Sequence, residues 1–89
     1  MRIKREYELQ LINYIKAYSG FKSEKPIQYG VQYNVNDVIL NFHYSDRDPS
    51  TFSLTIQNAP ADPIFSQLIE NFANGLIPTQ QGIQKIPTA

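Results

Sequence analysis

Apolar and polar residues alternate with a period of two over much of the middle of this chain. Ile27, Tyr29, Val31, Tyr33 and Val35 are separated by Gln28, Gly30, Gln32 and Asn34, and Phe52, Leu54 and Ile56 by Ser53 and Thr55. Between these stretches Val38, Leu40, Phe42 and Tyr44 alternate with Ile39, Asn41, His43 and Ser45. A period of two predicts strands with one buried and one wet face. The predicted strands cover residues 27–34, 38–45 and 51–58. Asn36 and Asp37 supply turn chemistry at the first junction, and Asp46, Asp48, Pro49 and Ser50 supply it at the second. The wet face carries amides, hydroxyls and a glycine, and is expected to be without charge.

The period changes on both sides of the strands. Ile3, Tyr7, Leu11, Tyr14 and Tyr18 recur at helical spacing, with Ile12 and Ile15 widening the stripe, which predicts a helix over residues 3–19. Gly20 is the expected left-handed residue at its end, and residues 21–26 read as a polar loop. Asp62 is the expected N-cap of a second helix with Pro63 in its first position. Phe65, Leu68, Ile69, Phe72 and Leu76 form its stripe, Gly75 ends it, and Pro78 bars continuation. Residues 79–89 read as a flexible or extended tail.

These elements add up to an α+β domain, α-β-β-β-α, over residues 1–78. The expected architecture is a three-stranded antiparallel meander with both helices on one face. The expected core is Tyr7, Leu11, Tyr14, Ile15, Tyr29, Val31, Tyr33, Leu40, Phe42, Leu54, Ile56, Leu68, Ile69 and Phe72. Tyr18 and Phe21 are the aromatics expected at the surface.

Composition narrows the chemistry. In 89 residues there is no cysteine, which excludes disulfides, thiolate nucleophiles and cysteine-based zinc sites. The longest apolar run, residues 38–40, is far short of the ~20 residues of a membrane helix. The start MRIKREYE is not followed by the apolar core of a signal peptide, and a cytoplasmic location is expected. Net charge is zero, but residues 1–25 hold a surplus of three cations and the rest a surplus of three acids. So small a basic surplus argues against nucleic acid as the main partner. The cluster Arg2, Lys4 and Arg5 reads as a solvated helix start.

No set of residues points to catalysis, and no cofactor or metal is expected. His43 is the single histidine, on the wet side of the middle strand between Asn41 and Ser45. A general base there would need an orienting carboxylate and a reacting partner within hydrogen-bond reach. Asp46, Arg47 and Asp48 lack the further oxygen ligands of a calcium loop. There is no glycine-rich phosphate loop or nucleophile elbow. Six tyrosines in a chain without tryptophan suit a protein-contact surface.

The predicted element order resembles the double-stranded RNA-binding domain. That family starts its last helix with lysines, where this chain has Ala61, Asp62, Pro63, Ile64 and Phe65, so RNA binding does not carry over. Residues 64–76, IFSQLIENFANGL, are similar to the last long helix of an anti-CRISPR protein, one of the small phage and prophage inhibitors of CRISPR nucleases. That resemblance implies a non-catalytic inhibitor of a host defence protein. Residues 51–76, with the N-terminal helix and the meander, resemble phage tail-terminator-like proteins, which implies a ring-forming assembly subunit.

The expected function is a non-catalytic protein-binding module, not an enzyme. Its expected contact residues are Gln28, Gln32, Asn41, His43 and Thr55 on the sheet and Asp46, Arg47 and Asp48 in the acidic turn. The alternatives are a self-assembling subunit pairing through an edge strand at 27–34 and a weak nucleic-acid binder using the basic first segment.

Overall fold

The computed structural model describes the backbone of residues 1–79 and 82–85 and the side chains of residues 1–75. Strand β1 (Arg2–Lys4) leads through a 3-10 turn (Arg5–Tyr7) into helix α1 (Glu8–Ala17). Strands β2 (Phe21–Ile27), β3 (Gly30–Val35), β4 (Val38–His43) and β5 (Thr51–Gln57) follow. Helix α2 (Pro63–Ala73) comes next, then a hairpin of β6 (Leu76–Thr79) and β7 (Gly82–Lys85). The fold is α+β, with one antiparallel five-stranded sheet in the order β1-β5-β4-β3-β2.

The expected three-stranded meander is therefore its central part, and both edges are additions. Four strands, not three, lie between the helices, so the α-β-β-β-α order does not describe the chain. Residues 2–4 pair with β5 instead of opening the first helix, with Ile3 opposite Phe52. Residues 21–26, expected as a polar loop, form with Ile27 an edge strand whose register slips between Phe21 and Ser23. The stretch 27–34 is not one strand. It turns at Gln28 and Tyr29, with Ile27 opposite Gly30, and β3 lies inside the sheet between β2 and β4. The boundary expected at residue 78 falls within β6. Residues 80, 81 and 86–89 of the expected tail lie outside the described residues.

The turns follow local chemistry. Asn36 and Asp37 both take left-handed backbone (φ 51 and 71) between the paired Val35 and Val38, the two-residue geometry that suits the twist of a hairpin. The Asn34 side chain accepts from the Asp37 N–H at 2.9 Å. Asp62 caps α2 by accepting from the Phe65 N–H at 3.0 Å, Pro63 follows it, and Gly75 (φ 91) ends the turn after the helix. Gly20 is not left-handed. Its role is close approach, because a Cβ there would collide with the Asn36 side chain, which donates to Asp62.

One core joins one face of the sheet to both helices. Ile3, Tyr33, Val35, Val38, Leu40, Phe42, Phe52 and Leu54 from the sheet pack with Leu11 and Ile15 of α1 and Phe65, Ile69 and Phe72 of α2. Phe42 stands at its centre, stacked on Phe52 at 4.9 Å and edge-on to Tyr33 at 5.0 Å between ring centroids. Tyr29 is not part of the core: it sits at the hairpin tip, 76% exposed. Tyr18 and Phe21, expected at the surface, pack against the core instead, with Tyr18 4.6 Å from Phe65.

Candidate functional site

Because both helices cover the same side, the other face of the sheet is left without a helical cover. The register defines its rows. Arg2, Ser53, His43, Gly30 and Ile27 form one row, and Thr55, Asn41, Gln32 and Lys25 the next. Gln57, Ile39, Asn34 and Ser23 form a third, and Lys4 lies opposite Thr51 at one corner. His43, Thr55, Gln57, Lys25 and Ser23 are exposed.

A chain of carboxamides orders the centre of this face. Gln32 Nε2 donates to Asn41 Oδ1 at 2.8 Å, and Asn41 Nδ2 donates to Gln57 Oε1 at 3.2 Å. Asn41 is only 7% exposed, yet both ends of its amide are bonded, so its burial leaves no polar group unpaired. Its neighbours spend one group each on Asn41. Gln32 Oε1 and Gln57 Nε2 have no side-chain bond among the described residues.

The face is not free of charge, contrary to the expectation from the alternation. The edge strands bring Arg2 and Lys4 to one side and Lys25 to the other, and no Asp or Glu occupies any of its register positions. The Arg2 guanidinium lies 3.9 Å from Asp48, and Lys4 lies 4.0 Å from Glu6, both long, exposed pairs of little strength.

Of the eight residues expected to make contact, Gln32, Asn41, His43 and Thr55 share this face. Gln28 is at the exposed β2–β3 tip, and Asp46, Arg47 and Asp48 are in the loop after β4. The Tyr44 N–H donates to the Tyr29 carbonyl at 2.8 Å, which brings tip and loop together at one end of the sheet. Asp48 is engaged within its loop, accepting from Thr51 Oγ1 at 2.6 Å and Ser50 Oγ at 2.7 Å. The Thr51 hydroxyl, then that of Ser50, holds its carboxyl below the usual carboxylate range. Asp46 and Arg47 are exposed. Arg2, Lys4 and Lys25 are the face residues that the sequence did not reveal, since they lie on strands with almost no apolar alternation.

His43 faces Gly30 and Ser53 across the ladder, neither of them a carboxylate. Among the described residues no cluster of three or more His, Cys, Asp or Glu could hold a metal ion, and no helix is long and apolar enough to cross a membrane. No protein-family model matches the chain, and neither does any curated protein or solved structure.

Proposed function

We propose that this chain is a non-catalytic protein-binding module and that the helix-free face of its sheet is the contact surface. The observation that carries this reading is the carboxamide chain through Gln32, Asn41 and Gln57 at the centre of that face. A solvated sheet face needs no such order. Here donors and acceptors are held in place before any partner arrives, which lowers the entropy lost on binding. Self-assembly through strand 27–34 has less support, because β3 is interior and the edge on its side of the sheet, β2, carries Lys22, Glu24, Lys25 and Pro26, which discourage strand addition.

The test is selection from a random displayed peptide library against the purified chain, with the selected peptides mapped by their effects on backbone amide NMR signals. Shifts centred on Gln32, Asn41, His43 and Thr55 are expected. Peptides that perturb only α1 and α2, or a library that yields no binder, would count against the assignment.

A further inference from the structure

The distribution of charge says what chemistry that face receives. The chain holds eight cations and eight acids. Among the described residues three cations and no acid occupy the register positions of the face, so it carries a positive surplus, although Asp48 and Glu6 reach Arg2 and Lys4 from beyond its edge at 3.9 and 4.0 Å. Glu8 lies in α1 and Glu24 reaches Lys16 of that helix at 2.9 Å, while Asp62 and Glu70 belong to the second helical side. Asp37, Asp46 and Asp48 are in turns at the two ends of the sheet, and Glu6 is in the 3-10 turn after β1.

The cations stand at opposite edges. From β1 to β2 there are four strand spacings, roughly 19 Å. Arg2 and Lys4 are at one end of that span, Lys25 is at the other, and the neutral amides lie between.

Resting on the reading of this face as the contact surface, we infer that its occupant is an extended acidic polypeptide segment crossing the strands. An extended chain rises about 3.3 Å per residue, so acids about six residues apart would meet both edges at once. The intervening backbone would offer N–H groups to Gln32 Oε1 and carbonyls to Gln57 Nε2. A nucleic-acid strand fits less well. It carries a phosphate on every nucleotide, which would set charge over the neutral amides. Its bases would find one ring, the exposed His43 imidazole, and no Phe, Tyr or Trp in the face's rows. A second copy of the chain stacked on the same face would oppose cation to cation.

The experiment uses labelled synthetic peptides and fluorescence anisotropy at low ionic strength. One peptide carries acidic pairs at both ends of a Ser/Thr/Gln centre, a second gathers the same acids at one end, a third replaces them with lysine, and an oligothymidylate of similar length stands for nucleic acid. The two-ended peptide is expected to bind most tightly and to shift amides in the rows of Asn41 and His43. Lys25→Gln and Arg2→Gln are each expected to weaken it by about two- to fivefold, the range of a single exposed ion pair. Lys16→Gln, on the helical side, is expected to leave it unchanged. Equal binding of the one-ended peptide, tighter binding of the oligothymidylate, or shifts confined to the surroundings of Lys16 and Lys22 would overturn the inference. Neutral or basic library peptides that occupy the face while acidic ones do not would overturn it and leave the contact surface standing. If no ligand of any charge perturbs the face, the contact surface itself is wrong.

Discussion

Replacing Tyr29 with asparagine should stabilise this protein, although it removes a large aromatic residue. Tyr29 holds φ 60 at the tip of the β2–β3 hairpin, where the residue is 76% exposed. The left-handed region costs an L-residue with an ordinary side chain roughly 1–2 kcal/mol, and asparagine pays less because its short polar side chain bonds locally. Against this stands the lost burial. Fully burying such a side chain is worth about 1.5–3 kcal/mol, and only about a quarter of this residue is covered, so the loss is near 0.5 kcal/mol. The carbonyl that accepts from the Tyr44 N–H is backbone and survives the substitution. The balance is a gain of about 0.5–1 kcal/mol, which in a domain of this size raises Tm by about 2–8 °C. Thermal unfolding followed by circular dichroism, with urea unfolding as a second measure, reads it directly. Tyr29→Phe, which keeps both strain and ring, should leave Tm unchanged. A Tm for Tyr29→Asn equal to or below that of the parent would refute the argument from strain.

Four further outcomes are expected. Phe42→Ala should cost about 3–5 kcal/mol, enough to unfold much of the protein at 37 °C, because the ring is fully buried between Tyr33 and Phe52; retained cooperative unfolding within 1 kcal/mol of the parent would contradict the core described here. Gly30→Ala should cost about 1–3 kcal/mol by chemical denaturation, since its Cβ would run into the Phe42 carbonyl oxygen. Asn41→Leu should change stability by about 1 kcal/mol or less, because the partners it abandons, Gln32 and Gln57, can turn to water, while peptide binding to the face falls sharply in anisotropy. Stability should fall at both extremes of pH. Burial first, then the nearby Glu24 and Glu8, push the Tyr33 phenol from 10.0 up to about 12. Burial and a hydrogen bond to Glu8 raise Tyr44 in the same direction. The unfolded chain thus loses these protons first, and stability that is complete below pH about 10 declines as pH climbs towards about 12. Asp48 and Asp62 are shifted downward by hydrogen bonds, led by the Thr51 hydroxyl and the Asn36 amide respectively. Their contribution is present above the unfolded value of about 3.9 and is lost as pH falls below it. Urea midpoints across the pH range should trace this plateau, and a midpoint still rising above pH 10 would contradict it.

The parts of the fold that were legible are those where pattern and burial coincide. β4 and β5 alternate because one side meets the core and the other water. α2 announces itself through Asp62, Pro63 and its stripe. The edges were not legible for a shared reason. β1 is three residues long and contributes a single core residue, Ile3, so its spacing to Tyr7 and Leu11 reads equally well as a helix. β2 has one neighbour, a register slip and charges at Lys22, Glu24 and Lys25, which protect an edge but erase the period of two. The alternation through residues 27–35 continues across a turn in composition only: the two-residue tip pairs Ile27 with Gly30, so Ile27 lies on the face opposite Val31 and Tyr33. The unbroken pattern thereby predicts Tyr29 in the core, whereas it sits at the tip. The same division holds for the candidate site. Gln32, Asn41, His43 and Thr55 come from strands whose alternation is legible and share one face, whereas Arg2, Lys4 and Lys25 join that face from edges without alternation.

That division explains why the alternation alone predicts an uncharged face and why the cations at its edges matter. In a two-layer domain the uncovered side of the sheet contributes little to the core, so its composition is loosely constrained by folding. Charges of both signs could be scattered over it at little cost, as they are over α1, where Arg5 pairs with Glu8. Here the acids lie on the helices, in the turns or, as Glu24 does, on the helix-covered side of an edge strand, three cations go to the two edges, and amides fill the centre. Asn41 is the position where stability and use diverge most. A β-branched or aromatic residue would suit the middle of a central strand better, and an amide there gains its order only through Gln32 and Gln57. Neither the segregation of charge nor the bonded amides is required to hold Phe42 or Leu54 in place on the other side. Both are accounted for if the face is kept ready for a partner that brings negative charge to its edges and hydrogen-bonding groups to its centre.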